Sequence, residues 1–174
     1  SAKIGEILKL EPDFVIGFSD IQAEIAGELI RRGVEVWISN HRSVEGIVDY
    51  VRRLGALVGV ADRANAYADE LQRGLDATAA EAAKLPRRPK VYFEEWDEPL
   101  ITGIRWVAVL VRIAGGDAIF PERAAESLAK QRILEDAGEV VRRAPDLILG
   151  SWCGKKFRPE KVASRPGWDA IPAV

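Results

Sequence analysis

The sequence predicts an α/β fold of two lobes joined by one long helix. Three observations carry this prediction. Short apolar runs alternate with stretches of helical period in both halves of the chain, as expected for strands that alternate with helices. Between the halves, residues 62–85 read as a single helix with one narrow apolar stripe. Finally, the segment 11–19 near the start is echoed by 144–152 near the end.

Taken in order, Ile4, Ile7 and Leu8 mark the apolar face of a short helix, which Glu11-Pro12-Asp13 stops. Residues 14–18 read as a strand buried on both faces, as parallel strands tend to be. Ser19 and Gln22 have capping-box spacing. Ile21, Ile25 and Leu29 carry the next helix, and Gly33 sits where a C-terminal glycine belongs. Residues 34–38 form a second strand, and Ser43 opens a helix with Val44, Ile47, Val51 and Leu54 inward.

In the long helix, Ala64, Ala68, Leu71, Leu75, Ala79, Ala82 and Leu85 recur at helical spacing, with Arg63, Asp69, Arg73, Asp76, Glu81 and Lys84 on the other faces. Pro86-Arg87-Arg88-Pro89 ends it, so it reads as a half-solvated connector between two α/β segments. The second segment opens with a strand at 91–93, followed by a polar and aromatic loop at 94–103. Ile104, Val107, Ala108 and Val111 make a helix that ends at Gly115-Gly116. Asp136 and Glu139 cap another before Val140 and Val141. Residues 147–149 are a strand, and Pro159 fits the first turn of a last helix, which ends near Arg165-Pro166-Gly167. The expected units are 1–58, a partial first lobe; 59–88, the connector; and 89–174, the second lobe.

Each copy of the echo is a Pro-Asp turn, an apolar strand, a glycine and a polar-aromatic loop. In open α/β sheets ligands bind beyond the carboxyl ends of strands. The loops at 18–20 and 151–155 are therefore expected to face one another across a cleft.

Composition narrows the function. A formal net charge of −2 lacks the basic surplus of a phosphate-backbone binder, so no nucleic-acid partner is expected. No apolar run approaches the roughly 20 residues of a membrane span. Ser1-Ala2-Lys3-Ile4-Gly5 has no signal-peptide pattern. The single cysteine, Cys153, excludes an internal disulfide. Neither Gly-x-Gly-x-x-Gly nor a P-loop occurs, so the α/β pattern does not read as nucleotide binding.

A family resemblance rests on the order and spacing of several runs. In the first half these are Lys9-Leu10-Glu11-Pro12-Asp13-Phe14-Val15-Ile16 and Ser43-Val44-Glu45-Gly46-Ile47, running into Arg53-Leu54-Gly55. In the second they are Val91-Tyr92-Phe93-Glu94-Glu95-Trp96, Pro99-Leu100-Ile101-Thr102-Gly103 and Ala114-Gly115-Gly116-Asp117-Ala118-Ile119-Phe120. Ala144-Pro145-Asp146-Leu147-Ile148, Arg165-Pro166-Gly167-Trp168 and Ile171-Pro172-Ala173-Val174 complete the set. Together they resemble the solute-binding proteins of corrinoid, haem and iron–siderophore ABC importers, most closely the branch described as cobalamin-binding. The resemblance implies two Rossmann-like lobes on one long helix, a class III periplasmic binding protein fold. It also implies an extracytoplasmic location, capture of a corrinoid, haem or siderophore between the lobes, and delivery to a membrane permease. No intrinsic cofactor is implied, since cobalamin would be cargo. In the family the first lobe starts earlier, with another strand and helix, and the second continues with a further strand and a closing helix. Against that pattern the first lobe is expected to be incomplete and the second to lack its last elements. The sheet edge so exposed offers a route to a dimer.

The candidate ligand contacts are Phe18, Ser19 and Asp20 in one loop and Asn40, His41 and Arg42 after the second strand. Glu95, Trp96, Trp106, Trp152 and Lys155 are the candidates in the second half. Trp96 and Trp152 follow strands, where aromatic faces suit a large planar ring. Trp106 lies in a helix, with core packing an equal reading. Glu94, Glu95, Asp97 and Glu98 surround Trp96 and read as a polar cleft rim. His41, the only histidine, is a ligand for haem iron or cobalt on one reading. On the commoner reading it is a hydrogen-bonding surface residue. No catalytic or metal-ligating set stands out. The alternative from another class is a small α/β enzyme using Cys153 or the carboxylates around Trp96.

Overall fold

The computed structural model of the chain describes residues 3–174. Helix α1 (Ile4–Leu8) leads to β1 (Val15–Phe18), a 3₁₀ turn at Asp20–Gln22, α2 (Ala23–Arg31), β2 (Val36–Ser39) and α3 (Val44–Leu57). The next helix, α4 (Ala61–Ala82), is one unbroken run of 22 residues. Beyond it come β3 (Lys90–Asp97), β4 (Leu100–Thr102), α5 (Arg105–Ile113), β5 (Asp117–Ala118) and α6 (Pro121–Ala124). A 3₁₀ turn at Ala129–Arg132, α7 (Gly138–Arg143), β6 (Leu147–Gly150), α8 (Pro159–Ala163) and a 3₁₀ turn at Trp168–Ala170 complete the chain.

The strands form two sheets. In the first, β1 and β2 pair in parallel. In the second, β3 is the hub, parallel to β5 and β6 and antiparallel to β4. The long helix α4 lies between the two sheets in sequence and packs on both α3 and α5, which also touch each other. This is the predicted architecture of two Rossmann-like α/β lobes on one helical connector.

Both copies of the echo make the same turn. Glu11 and Ala144 each adopt φ 46°, left-handed backbone that costs a non-glycine residue roughly 1–2 kcal/mol. Each follows a short helix and precedes Pro-Asp and a strand. In the second copy Asp146 secures the turn by accepting from the Lys90 backbone N–H at 2.7 Å and from Arg87 at 2.8 Å.

Two expectations need correction. The segment 94–103 is not a loop, because β3 continues to Asp97 and β4 returns beside it as a hairpin with a register shift between Glu94 and Trp96. Charge density hid the strand. Glu94 and Asp97 point inward, and cations from distant segments neutralise them. Nor is β1 buried on both faces. Ile16 and Phe18 are 40% and 48% exposed, and Leu147 and Leu149 of β6 stand out in the same way. No element among the described residues covers that face of either strand.

The core of the second lobe is aromatic. Tyr92 and Trp168, both wholly buried, meet edge to face with ring centroids 5.9 Å apart, and Phe120 meets Tyr92 at the same distance. The connector is held to the first lobe by small residues. A Cβ added at Gly55 of α3 would lie 2.0 Å from the Ala64 Cβ of α4. Gly55→Ala, which in an isolated helix would gain about 0.5–1 kcal/mol, is therefore expected to destabilise the protein by about 1–3 kcal/mol. Urea unfolding measures the sign directly.

Candidate functional site

At the carboxyl end of the first sheet the chain makes a turn that leaves one aromatic ring open. Phe18, the last residue of β1, is half exposed, and its N–H donates to the Gln22 side chain at 2.6 Å. Ser19 is wholly buried. Its hydroxyl accepts from the Ile21 N–H at 3.3 Å and its own N–H donates to the Ser39 carbonyl at 2.9 Å. Ser19 therefore holds the turn rather than facing a ligand. Asp20 and Arg42 pair with each other at 2.5 Å and tie this loop to the one after β2.

That second loop carries His41. Its ring lies 4.9 Å from Phe18 and 5.0 Å from Tyr50, which in turn stacks on Trp37 at 5.4 Å. The Ser39 hydroxyl meets Nδ1 at 2.8 Å. Burial, and then the neighbouring Arg42 charge, lower the imidazole pKa, so His41 is neutral at neutral pH. Exposed Asn40 joins Trp37, Ser39, His41, Asp49 and Tyr50 around a cavity of about 310 Å³. Trp37 and Tyr50 were not among the expected contacts. Their only sequence signal was that they are aromatic and lie four residues before and nine residues after the only histidine.

The end of the second sheet is built from charge. Glu94 has no solvent exposure, and Arg165 grips it with two bonds of 2.6 and 2.9 Å. The Trp152 indole N–H donates to the same carboxylate at 2.9 Å. Trp152 is thus a core residue, packed edge to face on Phe157 at 5.0 Å, and does not present an open indole face at a loop. Phe157 lies so close over β6 that a Cβ at Gly150 would be 1.9 Å from its ring. Beside this group, Tyr92 has its phenol pKa pushed far up by burial and then by the Glu94 charge.

Trp96 lies within β3 and not in a loop, half-buried, with its N–H donating to the Glu98 carbonyl at 2.9 Å. The Lys155 ammonium sits 4.0 Å above the Trp96 ring and 5.2 Å from that of Trp152. Lys155 is also bonded to Asp97, as is Lys161 at 2.7 Å. Burial pushes the Asp97 carboxyl up, but the bonds from both lysines outweigh it and hold its pKa at about 2. Asp97, Trp152, Lys155, Phe157 and Lys161 line a cavity of about 650 Å³.

Apart from exposed Glu98, the acidic run around Trp96 is therefore not a free polar rim. Glu95 is taken by Arg132, itself 3% exposed, at 2.6 Å. Trp106 goes elsewhere, to a hollow beside α4. The predicted residues thus gather in two groups: Phe18, Asp20, Asn40, His41 and Arg42 in the first lobe, and Trp96, Trp152 and Lys155 in the second. The cavity at each of these ends is lined by its own lobe alone. Cys153 is an exposed free thiol. No cluster of three or more His, Cys, Asp or Glu residues placed to hold a metal occurs among the described residues.

A family model described as "Periplasmic binding protein" matches residues 1–174. The chain belongs to that family. Membership of a family of solute-binding transport proteins bears out the reading as a binder and not an enzyme. Among solved structures, S. aureus IsdE complexed with heme is 20% identical with a TM-score of 0.75, over 100% of this chain and 69% of that one. Vitamin B12-binding BtuF of Vibrio cholerae is also 20% identical with a TM-score of 0.71, over 99% of this chain and 66% of its own. The periplasmic heme-binding protein RhuT from Roseiflexus sp. RS-1 is 20% identical at TM-score 0.77, over 99% and 67%. Such likeness shows the fold, and the chain spans about two thirds of the length of these proteins. No curated protein matches it in sequence. No helix among the described residues is long and apolar enough to cross a membrane.

Two outcomes test the charge network. Arg165→Met leaves Glu94 buried and uncompensated and is expected to cost about 3–5 kcal/mol in urea unfolding, with Glu94→Leu/Arg165→Met recovering much of it. Asp97 has a depressed pKa, so its stabilisation is full above its ordinary value of 3.8 and is lost as pH falls through about 2. The stability gap between the protein and Asp97→Asn is therefore expected to be constant from neutral pH down to that upper value and to close below it.

Proposed function

We propose that the chain is the solute-capturing component of an ABC importer and that its cargo is a corrinoid, held between the two lobes and delivered to a membrane permease outside the cytoplasm. On this reading residues 1–58 and 89–174 supply the two jaws and 59–88 the connector. The observation that carries it is the presence of aromatic faces at the carboxyl ends of both sheets, Phe18 beside His41 on one and Trp96 under Lys155 on the other. A broad ring system buries apolar surface against such faces, while Asn40 and the Asp97–Lys155 pair meet polar substituents at its edge.

Haem is the second reading, and His41 favours it. Its neutral ring, oriented through Nδ1 by Ser39, leaves the other nitrogen to ligate iron.

Titration with cyanocobalamin and with hemin, followed by quenching of tryptophan fluorescence, tests both. A corrinoid carrier binds cyanocobalamin saturably, and Phe18→Ala and Trp96→Ala each weaken it about tenfold, equivalent to about 1.4 kcal/mol. A haem carrier instead gives a Soret shift that His41→Ala abolishes. Absence of any response to either compound at high micromolar concentration rejects both cargos.

A further inference from the structure

The connector helix carries a hollow that capture at the strand ends does not use. Along α4, Tyr67, Leu71 and Leu75 face Ile47 of α3 and Trp106 and Leu110 of α5 across a cavity of about 560 Å³. That volume lies within the range of roughly 300–1,000 Å³ typical of small-molecule sites, and apolar and aromatic side chains dominate its wall as they do there. The cavities at the strand ends each belong to one lobe, whereas this one takes its walls from both lobes and the helix between them. Leu71 and Leu75 belong to the apolar stripe read from the sequence, yet they stay half-buried while Ala64 and Ala68 of the same stripe are fully packed.

Gly74 shows that the hollow is kept open. It stands within the 22-residue helix, where glycine costs about 0.5–1 kcal/mol relative to alanine. No tight contact requires it, since a Cβ there would meet nothing within 4 Å. A larger side chain would improve the helix and fill the space. The charge of the wall limits the occupant: Glu70 is its one charged residue, and no cation lines it.

We propose that this hollow is a second ligand site, taking a neutral or cationic apolar small molecule and disfavouring an anionic one. Because α3 and α5 both line it, an occupant touches both lobes and its binding is coupled to the angle between them. The site does not depend on which cargo the strand ends take, and its test contains no cargo.

Two dyes with the same aromatic skeleton test it, neutral N-phenyl-1-naphthylamine and anionic 8-anilino-1-naphthalenesulfonate. The neutral dye is expected to bind the intact chain at one saturable site with enhanced, blue-shifted fluorescence, and the sulfonate to bind at least tenfold more weakly. Glu70→Gln is expected to narrow that difference. Gly74→Leu is expected to abolish binding of the neutral dye while its unfolding midpoint in urea stays equal or rises. Tyr67→Ala, at a half-exposed ring, is expected to weaken binding at least fivefold and serves as the second variant. Neutral-dye binding that is absent, or unchanged in both Gly74→Leu and Tyr67→Ala, overturns the proposal. So does sedimentation of the protein as a dimer that Gly74→Leu converts to a monomer, since the hollow would then be a contact between copies.

Discussion

A carboxylate with no access to water has to be answered by donors, and at Glu94 those donors come from far along the chain. Trp152 lies 58 residues on and Arg165 lies 71 residues on. Removing a buried charge from water costs several kcal/mol, so β3 is tolerable as a strand only once the C-terminal segment has docked against it. The same holds for its neighbours. Glu95 waits for Arg132, and Asp97 waits for Lys155 and Lys161. The end of the second sheet is thus a set of non-local ion pairs threaded on one strand. The Lys155 ammonium above Trp96 is the visible edge of that network, and its position is dictated from below by Asp97.

What could be read from the sequence follows from this. The connector, the strands at Val15–Phe18 and Leu147–Gly150 and the turns before them depend on local pattern, and local pattern predicted them. The echo even extends to backbone conformation, with Glu11 and Ala144 sharing one φ. The strand character of 94–97 was illegible because its evidence lies in residues 132, 155, 161 and 165, which no window around Trp96 contains. Trp152 was legible only in part for the same reason, since it does line the cavity at the sheet end but is also anchored in the core through Glu94. A tryptophan after a strand reads as a cleft residue until the buried acceptor for its N–H is known. In the first lobe, Phe18, Asn40 and His41 were placed correctly at the sheet end, since turn and strand-end positions are local facts. Their partners Tyr50 and Trp37 required the helix α3 to be folded back over β2.

The two ends of the molecule consequently offer different surfaces. The first presents a run of rings, Phe18, His41, Tyr50 and Trp37, with its charges paired off to the side at Asp20 and Arg42. The second presents an ammonium on an indole, backed by a carboxylate held ionised to about pH 2. At the second end the cation is already fixed in place by Asp97, so its position does not depend on any further partner.

The connector divides its packing between the two lobes. Against α3 it is seated most closely where Gly55 meets Ala64, with Ala68 wholly buried one turn on. Against the second lobe it packs on α5, and just past the helix Leu85, with Ala82, lies on Gly115, a glycine at φ 90°. A Cβ at Gly115 would sit 2.6 Å from the Leu85 side chain. Between that contact and Trp106 at the opposite end of α5 lies the hollow over Gly74. Helix α3 also touches α5 directly, so the two lobes meet at more than the connector's far end, and the hollow is the part of that seam left unfilled.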